Sequence, residues 1–178
     1  VEGGIYAATG TDSRENGGYS RPIKHRVREE RWNKKNCENI RGSLSGNRFH
    51  GLNITNICGS GHRHRTIEFR YFSGSTNPDK ICAWVQMCVA LVQLALTSPK
   101  LAKPDVRQAQ GRTLVGKGQG EKELNRLFYT IGWTAGKCRY FGLGEFEGFS
   151  IKAAKKTLRR LARKYDGTEA TYRRRRSA

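Results

Sequence analysis

The chain is poor in acidic side chains, in methionine and in proline. Its 178 residues hold 15 Asp and Glu against 34 Lys and Arg, with one Met and four Pro, and the formal net charge is +19 at pH 7. Charge does not determine a fold. It does predict an anionic partner, such as nucleic acid, an acidic surface or a phosphate-bearing ligand. The alternative is that the basic surface packs inside a ribosome-like or capsid-like assembly.

The chain also lacks the cysteine spacings that are typical of metal sites or of disulfide frameworks. The chain has five cysteines, an odd number, and no two of them have the C-x-x-C spacing. This pattern favours neither a zinc ribbon nor a disulfide framework. We expect reduced thiols, as in the cytosol.

The chain contains no recognisable signal peptide and no long apolar run free of polar residues. The longest apolar stretch, 81–96, includes Gln86 and Gln93. Because this stretch is short for a bilayer span, it predicts a buried helix and no membrane partner. The predicted location is the cytoplasm, or the inside of a virus-like or ribonucleoprotein assembly.

Turn-forming and apolar residues divide the chain into four predicted segments. The first segment is 1–98, and a Gly-rich linker or loop follows at 99–120. A helical region is predicted at 121–165. The last segment, 166–178, reads as a basic tail that is disordered when free.

Within the first segment, residues 1–20 are rich in Gly, Ser and Thr and predict a loop. Strands are predicted at 48–57 and 66–72, joined as a hairpin, and the alternation of Ile67, Phe69 and Tyr71 predicts a core-facing side. A helix follows from Asn77, which suits the N-cap position, with Pro78 at the first helical position. Because this helix is apolar nearly all round, we expect it to be deeply buried.

In the C-terminal half, helices are predicted at 121–131 and 150–164. The first has Leu124, Leu127 and Phe128 on one apolar stripe. The glycine- and aromatic-rich stretch 132–149 predicts a loop or a short strand.

Several short motifs follow one another in a fixed order between residues 19 and 97. They are Tyr19-Ser-Arg-Pro22, Arg48-Phe-His-Gly-Leu-Asn53, Thr66-Ile-Glu-Phe-Arg70 and Asn77-Pro78, followed by the apolar helix. This ordered set resembles the amidoligase family of glutamine-synthetase-like carboxylate–amine ligases, in the C-terminal part of the catalytic domain. The resemblance covers about half of the chain.

The resemblance implies an α+β fold: a curved antiparallel sheet with helices packed on one face, here followed by a basic helical C-terminal region. It implies ATP, Mg²⁺, a carboxylate substrate and an amine substrate, joined through an acyl phosphate. It assigns Arg70 and Asn53 as catalytic residues and Glu68 as a metal ligand. Arg48 and His50 would contact phosphate or substrate. The alternative for Glu68 and Arg70 is an ion pair on a solvated sheet face.

The sequence departs from the family pattern in its acidic residues. The family's Glu-x-Glu metal ligands come from earlier strands, whereas here no such pair precedes Arg48, and Glu145-Phe-Glu147 follows the signature segment. The chain also begins at Val1 rather than at Met. Two interpretations stay open: the missing strands lie on a companion N-terminal fragment, or the scaffold is a non-catalytic structural or nucleic-acid-binding subunit of a virus particle or ribonucleoprotein.

The C-terminal region carries the densest positive charge. Residues 151–178 hold 11 Lys and Arg and two acids. The predicted contacts to an anionic partner are Arg159, Arg160, Arg163, Lys164, Arg173, Arg174, Arg175 and Arg176. The alternative is a solvated basic face.

Two weaker motifs predict no site. His62 and His64 lie in a predicted hairpin turn and are too few to hold a metal. Gly116-Lys-Gly-Gln-Gly120 lacks the preceding strand of a phosphate loop and predicts a linker.

Overall fold

The structure is a computed structural model that describes residues 2–10, 20, 49–58, 66–97, 118–134, 137–138 and 150–176. In chain order, the elements are α1 (Glu2–Ala7), β1 (Leu52–Asn53), α2 (Thr55–Cys58), β2 (Glu68–Phe69), α3 (Pro78–Thr97), α4 (Gly120–Thr130), β3 (Trp133–Thr134), β4 (Lys137–Cys138) and α5 (Ile151–Arg176). Helices predominate, with two short antiparallel strand pairs. This agrees with the predicted α+β class in its coarse form.

The chain forms two compact units. Unit 1 comprises Val1–Asp12, Ser73–Leu101 and Val115–Ala178, and unit 2 comprises Ser13–Phe72 and Ala102–Leu114. The units therefore combine segments that are distant in sequence. The predicted division at 98, 120 and 165, which was based on motifs and composition, stays a prediction.

The N-terminal segment of unit 1 is a buried helix, so the predicted loop at 1–20 is wrong for residues 2–7. α1 packs against α4 and α5, and it buries Ile5 and Tyr6. Gly4 lies close against α4, because a Cβ built on it would lie 2.6 Å from the carbonyl oxygen of Glu123. The glycines that indicated a loop in the sequence instead allow two helices to meet closely.

The boundaries of α3 agree with the prediction. The side chain of Asn77 caps the helix, since the Lys80 amide donates to its Oδ1 at 3.0 Å. Pro78 occupies the first helical position, where its missing N–H costs no hydrogen bond.

The predicted deep burial of α3 is wrong. Its buried residues are Ala83, Trp84, Met87 and Ala90. Val85 is 54% exposed and Leu96 is 74% exposed. Helical periodicity locates an apolar surface but does not say how many neighbours cover it, and here only one face of α3 lies in the core.

Trp84 attaches α3 to the N-terminal segment. Its indole N–H donates to the carbonyl oxygen of Ala8 at 2.9 Å, and the ring is buried. The bond satisfies the polar atom of a large apolar side chain, which is the usual requirement for burying tryptophan.

α3 is also long and apolar enough to cross a membrane, with a mean hydropathy of 1.6 over its best window, 22% of which is buried inside the protein. It is the one such helix in the described part of the chain. Core helices of soluble proteins share this length and composition, so the two properties do not decide its environment.

The amphipathic prediction for α4 is confirmed. The helix spans Gly120–Thr130, and Leu124, Leu127, Phe128 and Ile131 are all buried. Gly132 then adopts a positive φ of 76°, which lets the chain turn from α4 into β3.

α5 is longer than the predicted helix at 150–164, because its backbone stays helical through Arg176. Ser150 begins it by accepting the Ala153 amide. Its buried face consists of Ala154, Leu158, Leu161, Ala162 and Tyr165. The sequence beyond Lys164 contains no proline, and Gly167 alone does not break the helix.

Unit 2 contains the predicted antiparallel pair, but the strands are shorter than 48–57 and 66–72. Leu52 pairs with Phe69 and Asn53 pairs with Glu68. After β1 the chain turns into α2, so the predicted strand beyond Ile54 is wrong. The cause is local, because the amide of Thr55 donates to Oδ1 of Asn53 at 3.0 Å and so initiates a turn.

The alternating face of the second strand is only partly buried. Tyr71 is buried, as predicted, and Phe69 is half-buried, whereas Ile67 is exposed. The alternation of apolar and polar residues correctly predicted which side of the strand faces the core. Along that side, burial increases from Ile67 through Phe69 to Tyr71.

We predict that Gly4→Ala lowers the free energy of unfolding by about 1–3 kcal/mol, because the added methyl overlaps the backbone of α4. The control is Gly74→Ala, since a Cβ at Gly74 meets nothing within 4 Å. Urea unfolding followed by circular dichroism measures both. Equal stability of the two variants would contradict the close packing of α1 on α4.

We also predict that Cys88 resists alkylation. Burial raises the pKa of its thiol to about 12 from 9.0, so the thiol stays neutral at pH 8. Iodoacetamide should label Cys88 at least about tenfold more slowly in the native protein than in urea. Peptide mass spectrometry measures the rate. The same shift lowers stability as pH rises from 9 toward 12, because the thiol then ionises only in the unfolded chain.

Candidate functional site

The carboxylate of Glu68 is the centre of a small polar cluster in unit 2. Asn53 Nδ2 donates to Glu68 Oε2 at 2.8 Å. Arg70 Nε forms an ion pair with Glu68 Oε1 at 3.3 Å. The structure therefore brings together the three residues that the amidoligase resemblance assigns to catalysis and metal binding.

The β1–β2 pairing explains why these three side chains meet. Asn53 is directly opposite Glu68 in the register, so both side chains lie on one face of the pair. Arg70 follows two residues later on the same face. Its amide donates to the carbonyl oxygen of Gly51 at 2.6 Å, which continues the pairing beyond the short strands.

The orientation of the Asn53 amide is set by its two contacts. Its oxygen accepts the Thr55 amide, which leaves the NH₂ group directed at Glu68. Asn53 is 4% exposed, so loss of either bond would leave a buried polar group without a partner. Asn53 is therefore a buried partner of an ion pair whose carboxylate is itself half-exposed.

The charged members of the cluster are accessible to a ligand. The side chain of Glu68 is 49% exposed and that of Arg70 is 20% exposed. A planar guanidinium held against a carboxylate keeps a defined direction, and its N–H donors match the oxygens of carboxylate and phosphate. The cluster can thus orient Arg70 toward an anionic group.

Of the two remaining predicted contacts, His50 and Arg48, the structure describes only His50. His50 is buried, at 4% exposure, just before β1. The chain bends at Gly51, where a Cβ would overlap the ring of Tyr71, so strand alternation does not carry from Asn53 back to His50. Arg48 lies outside the described residues.

The predicted Mg²⁺ does not fit the described residues by themselves. Glu68 supplies one carboxylate, and it is already paired with a guanidinium, which opposes a second positive charge. No group of three His, Cys, Asp or Glu that could hold a metal occurs in the described ranges. The assignment of Glu68 as a metal ligand stays a prediction. His62, His64, Glu145 and Glu147 lie outside the described residues.

The predicted basic contacts on α5 differ in what the structure shows of their surroundings. Arg163 pairs with Glu121 at 3.1 Å, and Arg159 contacts Asn125 and lies 5.7 Å from the ring centroid of Phe128. Both therefore contact residues of α4, although Arg163 stays largely exposed. Arg160 and Lys164 are exposed. The helical backbone runs through Arg173, Arg174, Arg175 and Arg176, whose side chains lie outside the described part.

The sequence reasoning missed Lys152 and Lys156, which are exposed on the same helix. Their four-residue spacing with Arg160 was the available signal, because residues four apart share a helix face.

A cavity of about 810 Å³ lies on the outer side of α4 in unit 1. Its lining includes Glu121, Asn125, Arg126 and Tyr129, and no predicted site residue. It gives no support to the predicted chemistry.

Comparison with family models, with curated proteins and with solved structures finds no match to this chain.

We predict that Asn53→Asp destabilises the protein by about 1–3 kcal/mol at pH 7, because it places a second carboxylate against Glu68. The repulsion ends when one of the two carboxylates takes up a proton. The variant should therefore regain stability relative to the wild type as pH falls through about 4. Urea unfolding across pH measures the effect.

The matched control is Asn56→Asp, because Asn56 Nδ2 donates to the hydroxyl of Thr66 rather than to a carboxylate. It should show no comparable recovery at low pH. The same pH dependence in both variants would contradict the Asn53–Glu68 contact.

Proposed function

We propose that unit 2 carries part of an ATP-dependent amidoligase site, which joins a carboxylate to an amine. In this reaction ATP transfers its terminal phosphoryl group to the carboxylate. The amine then displaces phosphate from the acyl phosphate to form the amide, and ADP and phosphate are released.

The meeting of Asn53, Glu68 and Arg70 is the observation that carries the proposal. The resemblance rests on the order of motifs along the chain and requires nothing about contacts between them. The 2.8 Å contact between Asn53 and Glu68 joins two strands across 15 residues of sequence and is a further feature that agrees with it. The 3.3 Å contact of Arg70 with Glu68 lies within the second strand segment and brings the third residue to the same carboxylate. The Asn77 cap and α3 follow in the order that the family pattern requires.

Arg70 is the proposed contact for the anionic oxygens of the reacting groups. Negative charge develops on phosphoryl and acyl oxygens during the transfer, and a fixed cation stabilises it more than a mobile one. Glu68 limits the rotation of the Arg70 side chain, and Asn53 holds Glu68 in turn. Glu68 and Asn53 are thus positioning residues in this proposal, with Arg70 as the residue that touches substrate.

The proposal also includes the glutamine-synthetase-like fold and Mg²⁺, both of which the resemblance implies. A curved antiparallel sheet with helices on one face would extend the β1–β2 pair. Mg²⁺ would need acidic ligands beyond Glu68, contributed by other parts of the chain or by a companion fragment.

The test is calorimetric titration of the purified chain with ATP in the presence of Mg²⁺. We expect saturable binding that Arg70→Ala weakens by about tenfold or more, because a charge-assisted contact to phosphate is lost. Repeating the titration with a chelator in place of Mg²⁺ measures how far the binding depends on the metal.

The control is Arg126→Ala, which removes one exposed arginine and its ion pair with Glu123. It changes the net charge equally and should leave ATP binding unchanged. Circular dichroism confirms that both variants fold. Absence of saturable binding to the wild type, or equal weakening by both substitutions, would overturn the proposal.

A further inference from the structure

The exposed side of α5 carries a row of cations separate from those that hold the helix in place. Lys152, Lys156 and Arg160 are spaced four residues apart and all are exposed. Each step rises about 6 Å along the helix, so the row extends over about 12 Å. We call these three residues the outer stripe.

The neighbouring cations of α5 have partners in unit 1. Lys155 Nζ donates to the carbonyl oxygen of Trp133 at 2.7 Å and lies 5.5 Å from the ring centroid of Phe128. Arg159 and Arg163 contact α4. Among the described residues, no member of the outer stripe has such a partner. Within the described part of the chain, these charges are exposed and open to an external ligand.

The part of α5 that carries the outer stripe contains no acidic residue. The stretch 150–165 contains no Asp or Glu, and Asp166 accepts the backbone amide of Gly120 at 3.0 Å. The chain as a whole has a net charge of +19. A rigid row of cations on a basic body matches a ligand with closely spaced negative charges along a line.

We propose that the outer stripe binds the phosphate backbone of a nucleic acid without reading its sequence. Duplex DNA carries one negative charge per about 1.7 Å of axis, so several phosphates lie within reach of the row. Lysine and arginine contacts of this kind supply affinity and release counterions. The inference concerns unit 1 and does not depend on the ligase proposal for unit 2.

A membrane surface fits α5 less well. Helices that lie on a bilayer insert large apolar side chains into the headgroup region. The large apolar residues Leu158, Leu161 and Tyr165 of α5 are buried inside unit 1. The exposed face therefore offers charge without an apolar surface to insert.

The test compares two triple variants that each remove three positive charges. One is Lys152→Gln, Lys156→Gln and Arg160→Gln. The control is Lys80→Gln, Lys122→Gln and Arg126→Gln, which changes other helices of unit 1. Fluorescence anisotropy with a labelled mixed-sequence DNA duplex, and with a single-stranded RNA, gives Kd over a series of salt concentrations.

We expect the wild type to bind with a Kd that rises steeply with salt. Loss of the outer stripe should reduce the slope of log K against log salt by about 2–3 on duplex DNA, because about 0.9 is lost per phosphate contact. The control should keep most of the slope. Equal losses in both variants would mean diffuse attraction by net charge and would overturn the proposal.

A parallel measurement uses vesicles that contain phosphatidylserine. Binding to the vesicles that depends on the outer stripe, without binding to DNA or RNA, would also overturn the proposal and assign the surface to anionic lipid. Intact circular dichroism spectra of both triple variants ensure that the comparison concerns binding and not folding.

Discussion

The packing of α4 against α5 is the interaction on which unit 1 depends. Phe128 lies at its centre: its ring stacks on Trp133 at 5.7 Å between centroids, and Lys155 and Arg159 approach it as cations. Such contacts add to the apolar burial of the two helices. α1 rests on both helices, and α3 packs on α5. This interface also decides which described cations of α5 contact α4 and the chain that follows it.

In unit 2 the corresponding interaction is that of the Glu68 carboxylate, which both Asn53 and Arg70 contact. A half-exposed ion pair contributes little to stability. The buried amide of Asn53 changes this, because it connects the carboxylate to the turn at Thr55 and so to the backbone. The three side chains therefore hold one another in a defined geometry, which is the feature that the ligase proposal relies on.

Much of the local structure follows from the sequence. The start of α3 could be predicted because Asn77 and Pro78 act within one turn of the helix. The buried stripe of α4 could be predicted because a 3.6-residue period of apolar residues is visible in the sequence alone. The meeting of Glu68 with Asn53 was predictable in part, since alternation and a hairpin place them on one face. Two of the failures have a tertiary cause, because the burial of Val85 and the helix at Gly4 depend on what packs against each residue. The turn after Asn53 has a local cause, the hydrogen bond from the Thr55 amide to the Asn53 side chain, which competes with strand pairing.

The sequence by itself determined the excess of positive charge, the order of the amidoligase-like motifs and the amphipathic helices, because these are properties of composition and local spacing. Only the tertiary structure decided which charges are used internally. Arg159 and Arg163 look equivalent to Arg160 in the sequence, but they contact side chains of α4, whereas Arg160, Lys152 and Lys156 have no partner among the described residues. The reason is that successive residues of a helix are rotated by 100° about its axis, so neighbours in sequence lie on different sides of the helix. The position of the neighbouring helix decides which of these sides it covers.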